Sequence, residues 1–129
     1  GLTINSFASV SLEPRLILWS LDRQSDTFAI FTSASHFGID ILGANARDLS
    51  ARLSRKGKHE LHDHELAPRA STPHLKDALA WFSCAVEARH NGGDHEIFVG
   101  RVLEFGYEPG GDPLVYYRGR YRALHELTD

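Results

Sequence analysis

The chain has 129 residues, 42% of them hydrophobic and 24% charged, with a formal net charge of −3 and one cysteine. These values describe a single soluble globular domain over 1–129 and exclude disordered and fibrous classes. The mild acidity and the short apolar runs argue against nucleic acid or a membrane as partner, and the lone Cys84 has no internal disulfide partner, which fits a reducing, cytoplasmic compartment.

Leu2 to Leu12 reads as a strand running into a small-residue loop. Within it Thr3, Asn5, Ser6, Ser9 and Ser11 set short hydrogen-bonding groups among small and apolar residues. That mixture suits a backbone passing close to a flat polar ligand. It also fits a half-exposed strand, in which Thr, Ser and Val alternate. After Pro14, the continuous apolar run Arg15–Leu21 predicts a strand buried on both faces. Asp22–Thr27 is rich in capping residues, with Asp22 or Ser25 as the N-cap of a short helix through Phe28–Phe31. A helix start beside Arg23, Ser25 and Thr27 suits a phosphate, though ordinary capping explains the same residues.

Phe37–Leu42 alternates as a strand ended by Gly43, and Asn45 is the expected cap of a helix reaching Arg55 with Leu49 and Leu53 on one side. About 56–73 the chain is polar and aperiodic, which predicts a long mobile surface loop. Ala80–Arg89 and His95–Phe105 read as strands joined by the turn Asn91–Asp94. A second turn, Glu108–Pro113, leads to a short strand over Leu114–Arg118. Strands dominate, so the expected fold is mainly β: a small antiparallel β-barrel with peripheral helices.

His59-Glu60-Leu61-His62-Asp63-His64 resembles a metal cluster, but the HExxH spacing is absent and nothing preorganises the ligands, so no metal is assigned. His95 opens an apolar strand where a β-branched residue suits the sheet better; at a strand end its ring can face a cleft, though a plain surface histidine is the alternative. Tyr116–Tyr121 interleaves aromatics with Arg118 and Arg120, a mixture suited to stacking on a ring and pairing with phosphate. Cys84 sits mid-strand on an apolar face, as a core residue does.

Assembled in order, these stretches resemble the flavin reductase family, the short-chain NAD(P)H:flavin oxidoreductases with the FMN-binding split-barrel fold. The resemblance rests on Thr3–Leu12 with Pro14, Asp22–Thr27, Phe37–Leu42, Leu79–Cys84, Gly93-Asp94-His95 and Pro113–Tyr121. It implies a Greek-key antiparallel barrel and a homodimer that uses NADH or NADPH to reduce FMN or FAD for a partner flavin-dependent monooxygenase. A non-catalytic flavin carrier of the same fold is the alternative. Carried over residue by residue, the resemblance assigns Thr3, Asn5, Ser6, Ser9, Val10, Ser11, Asp22, Arg23, Ser25 and Thr27 to the flavin. His95 becomes the catalytic residue placing the nicotinamide, and Tyr117, Arg118 and Arg120 join it on NAD(P)H. Asp40 stands where the family usually has Asn, and Arg15 where it has a second Pro. The family's leading helix and first strand have no counterpart, and the sequence has no Met and starts at Gly1, so an N-terminally incomplete chain is expected.

Overall fold

The computed structural model describes residues 1–128. One five-stranded antiparallel sheet organises them, in the order β1-β2-β7-β6-β3. Its strands are β1 (Ala8–Leu12), β2 (Arg15–Asp22), β3 (His36–Ile41), β6 (Ala80–Gly92) and β7 (His95–Tyr107). The chain passes from β2 to β3, at the far edge, through helix α1 (Phe28–Ser33). Helix α2 (Arg47–Leu53) follows, and the two-residue strands β4 (Leu66–Ala67) and β5 (His74–Leu75) pair with each other. A terminal hairpin joins β8 (Val115–Tyr117) to β9 (Arg120–Arg122).

The sheet is strongly curled. Strands three places apart in a flat sheet lie roughly 14 Å from one another. Yet Trp19 of β2 and Phe37 of β3, three places apart, have ring centroids 5.7 Å apart. Trp19 stacks on Phe98 of β7 at 4.9 Å and meets Phe31 of α1 edge-on at 5.1 Å. Ile17, Leu21, Ile39 and Cys84 complete this buried core. Gly100 permits the closure, because a Cβ there would stand 2.5 Å from the Phe37 ring. Burial pushes the Cys84 thiol up to about 12, which leaves it a neutral core side chain, as its position in the sequence predicts.

Several boundaries differ from the sequence reading. Only Ala8–Leu12 of the first stretch is strand. Where β1 stops pairing, the Ser6 hydroxyl replaces the ladder by accepting from Ser20 N–H at 2.9 Å. β2 is not buried on both faces: Ile17, Trp19 and Leu21 are buried, and Leu16, Leu18 and Ser20 are half-buried. Neither Asp22 nor Ser25 is the N-cap of α1. Thr27 holds that position, and its hydroxyl pairs with Ser25 Oγ at 2.8 Å instead of capping the helix. Ala46, not Asn45, is the N-cap of α2, which ends at Leu53; its apolar stripe holds, with Leu53 buried and Leu49 half-buried. The hairpin turn shrinks to Gly93–Asp94, since Gly92 pairs with His95 and Gly93 takes φ +76°. Strand β9 was not foreseen.

The aperiodic segment contains a 3-10 turn (Asp63–Glu65) and strand β4. Arg52 of α2 grips Glu65 through two hydrogen bonds of 2.9 and 2.8 Å, and this pulls the Glu65 carboxyl down to about 2. A lowered folded-state value stabilises above the unfolded range and is lost as pH falls through the folded one. Glu65→Gln therefore destabilises the fold by about 1–2 kcal/mol at pH 7, after allowance for solvent screening. In denaturant titrations the difference from the parent shrinks as pH drops from 4.5 toward 2; a difference constant over that range would contradict the assignment.

Asp40, the residue that departs from the resembled family, has a local cause. Its Oδ1 accepts from Nδ1 of the fully buried His74 at 2.8 Å, and its Oδ2 accepts from Leu75 N–H at 3.2 Å. Both oxygens face donors, so an Asn amide would present an NH2 to one of them. His74 continues to Thr72 at 2.7 Å, and Thr72 to Ser83 at 2.9 Å, fastening the β5 region to β3 and β6.

Candidate active site

The chemistry-bearing residues converge beside the end of β2. Leu2, Thr3, Ile4, Asn5 and Ser6 run next to Ser20, Asp22, Ser25 and His95 around a cleft of about 180 Å³. The position of each follows from the local fold. Thr3 Oγ1 donates to Ser50 O of α2 at 2.7 Å, anchoring the N-terminal segment at one end. Ser6 anchors it at the other, its hydroxyl lying 2.9 Å from Ser20 N and 3.3 Å from Ser20 O. Leu2, just before the first anchor, and Ile4, between the two, pack against the core cluster. The cleft lining thus mixes apolar and polar residues.

Antiparallel pairing sets Asp22 directly opposite His95. The His95 ring is 41% exposed, and Nδ1 donates to Asp94 Oδ1 at 2.7 Å. This hydrogen bond holds the Asp94 carboxyl below the usual carboxylate range. With Nδ1 engaged, Nε2 is the ring nitrogen left for the cleft. Asp22 Oδ1 accepts from Gln24 N–H at 2.9 Å, shaping the turn that brings Ser25 to the rim.

Of the residues expected at the site, Thr3, Asn5, Ser6, Asp22, Ser25 and His95 line this cleft. The others lie elsewhere. Ser9, Val10 and Ser11 belong to edge strand β1. Thr27 is 3% exposed, its hydroxyl held by Ser25. Arg23 turns to the β6–β7 hairpin, donating from Nε to Gly93 O at 2.9 Å and from Nη2 to Asn91 Oδ1 at 2.7 Å. Tyr117, Arg118 and Arg120 stand exposed on the β8–β9 hairpin, with the Arg118 guanidinium 5.4 Å from the Tyr117 ring centre. That hairpin is tied to α2 by Tyr121 and Ser50, whose hydroxyls are 3.0 Å apart. The sequence reading missed Leu2, Ile4 and Ser20; a serine interrupting the apolar run Leu16–Leu21 was the available signal.

In the His59–His64 stretch, His59 Nε2 lies 2.6 Å from Asp26 Oδ1, while His62 and His64 stack on each other at 5.7 Å. Gly57 N–H, first, and then His59 hold the Asp26 carboxyl below its usual range. Among the described residues no three His, Cys, Asp or Glu side chains converge as metal ligands, and no helix is long and apolar enough to cross a membrane. A wider, shallower groove of about 520 Å³ lies between Gly43–Asn45, Lys76–Leu79 and Glu108. It contains none of the residues singled out for chemistry, and we take the smaller cleft as the site.

Comparison with known proteins agrees with this architecture. The chain is 42% identical over 122 residues to an FMN reductase (NADH) from Agrobacterium fabrum, covering 94% of this chain and 69% of that protein. The styrene monooxygenase flavin reductase from Pseudomonas putida S12 superposes with a TM-score of 0.87 at 31% identity, over 98% of this chain and 82% of that one. An NADH:FAD oxidoreductase from Streptomyces globisporus, solved with NAD and FAD fragments, gives a TM-score of 0.88 at 27% identity, over 99% and 79%. Residues 1–125 match the flavin reductase like domain, and the chain belongs to that family.

Proposed function

We propose that the chain uses NADH to reduce a free flavin, FMN or FAD, and supplies the reduced flavin to a partner flavin-dependent monooxygenase. The observation that carries this reading is the meeting of Thr3, Asn5, Ser6, Asp22 and Ser25 with His95 around one cleft. The donor set fits a flavin. Leu2 and Ile4 offer an apolar surface to the ring, and the hydroxyl, amide and carboxylate rim matches a ligand that is flat, apolar in the middle and polar at its edges. The cleft's volume, about 180 Å³, falls below the few hundred Å³ of most enclosed ligand sites, so it accommodates one edge of the flavin and leaves the rest outside.

Bound flavin supplies the redox chemistry by taking up the hydride of the reduced nicotinamide. The protein's share is orientation. Asn5, with the backbone of Thr3 and Ser6, holds the ring edge, Ser25 the phosphate side, and Asp22 accepts from ligand N–H or O–H groups. His95, steadied by Asp94, sets the nicotinamide against the ring. Ser9, Val10, Ser11 and Thr27 serve by supporting this loop system, and Tyr117, Arg118 and Arg120 by holding the outer end of the dinucleotide.

We further infer a homodimer. Val10 and Leu12 of β1 and Leu103, Phe105 and Tyr107 of β7 are exposed, and a second copy buries them and covers the open β1 edge. Sedimentation at twice the chain mass is expected, and a monomer at micromolar concentration would contradict it. A cytoplasmic setting supplies NADH and keeps Cys84 reduced.

The test is NADH oxidation followed at its absorbance band with FMN, FAD or no flavin, then repeated with NADPH. Oxidation that depends on added flavin is expected. Flavin binding without turnover would convert the reading to a carrier, and neither would end it.

A further inference from the structure

Arg23 is the most heavily engaged cation near the cleft, and all its hydrogen bonds go to the tip of one hairpin. Its backbone N–H donates to Asp94 O at 2.9 Å, its Nε to Gly93 O at 2.9 Å and its Nη2 to Asn91 Oδ1 at 2.7 Å. Nη1 lies 3.9 Å from Glu96 Oε1, and Arg89 flanks the same carboxylate at 3.7 Å. Pairing puts Leu21, Asn91 and Glu96 side by side, and Asp22, Gly92 and His95 next to them. Successive strand residues face opposite ways, so Arg23 works on the sheet face opposite His95.

The turn needs such a hold. Asn91, Gly92, Gly93 and Asp94 are all exposed, and two adjacent glycines confer little stiffness of their own. Asp94 in turn accepts from His95 Nδ1 at 2.7 Å. The line of contacts is therefore Arg23, Gly93–Asp94, His95.

We propose that Arg23 is a positioning residue for His95: by clamping the Gly93–Asp94 turn from the opposite face, it presents the imidazole to the nicotinamide rather than binding flavin phosphate itself. The proposal rests on the reading of His95 given above.

The test compares Arg23→Gln, His95→Ala and the double variant. Flavin affinity is measured by fluorescence titration with FMN and with riboflavin, which lacks the phosphate. Arg23→Gln lowers kcat/KM for NADH about tenfold, mostly through KM, and leaves both flavin affinities within about twofold. Hydrogen exchange across 91–95 speeds up, because the turn loses its clamp. In the His95→Ala background Arg23→Gln costs less than about twofold more. Arg23→Lys keeps the charge but lacks the fork that spans both Gly93 O and Asn91 Oδ1; it gives an intermediate loss and serves if Arg23→Gln fails to fold. A loss confined to FMN, with riboflavin unaffected, would make Arg23 a phosphate ligand and overturn the proposal, as would full additivity with His95→Ala. A His95→Ala variant that uses NADH normally would overturn instead the reading beneath it.

Discussion

Replacing His95 with alanine lowers kcat/KM for NADH about 100-fold and leaves flavin affinity within about twofold. The asymmetry follows from geometry. Thr3 and Ser6, which we propose to lie along the flavin, are anchored to Ser50 and Ser20, and none of those bonds involves His95. The ring instead belongs to the β6–β7 hairpin: the His95 backbone pairs with Asp22, and the ring is bound to Asp94. On the proposed assignment, losing the imidazole removes one wall of the nicotinamide subsite while the flavin rim stays intact. Stopped-flow reduction at saturating flavin, with flavin titration alongside, separates the two effects. An equal loss of flavin and NADH affinity would show that His95 belongs to the flavin itself.

Phe98→Ala is the most damaging core change expected, at about 3–5 kcal/mol. Phe98 is 1% exposed and stacks on Trp19 while meeting Phe37 edge-on at 6.4 Å. It therefore joins the two strands whose approach curls the sheet. The same change tests how fold and site are coupled, since Phe98 and His95 stand on one strand, three residues apart, facing opposite ways. Denaturant unfolding reads the loss directly. A cost below about 1 kcal/mol would mean that the Trp19 stack is replaceable and that curvature is set elsewhere.

The long strands were legible because alternation survives in sequence. Phe37 and Ile39 recur at the period that a half-buried strand requires, whereas the unbroken apolar run Arg15–Leu21 gave the strand but concealed which face Ile17, Trp19 and Leu21 bury. Helix ends were less legible, because capping residues are also turn residues: Ser25 and Thr27 bond each other, and Asn45 lies one residue outside the α2 cap. Strand β9 was hidden by its polarity, since Arg120 and Arg122 carry no apolar pattern. At the site, Thr3, Asn5, Ser6 and His95 were visible as short polar or ring-bearing residues in otherwise apolar surroundings. What sequence did not reveal is direction. Whether Arg23 faces a ligand or a hairpin depends on a strand pairing about seventy residues away along the chain, and no local pattern encodes it. The buried line Asp40–His74–Thr72–Ser83 was invisible for the same reason, with partners drawn from β3, β5 and β6.

We propose the cleft beside Leu2–Ser6 as the place where flavin and nicotinamide meet. A crystal structure with FMN tests it most directly. The flavin ring is expected along Thr3–Ser6, with Ser25 on its phosphate side and His95 open to the ring. FMN seated instead in the groove between Asn45 and Lys76, with the Leu2–Ser6 cleft free, would contradict it.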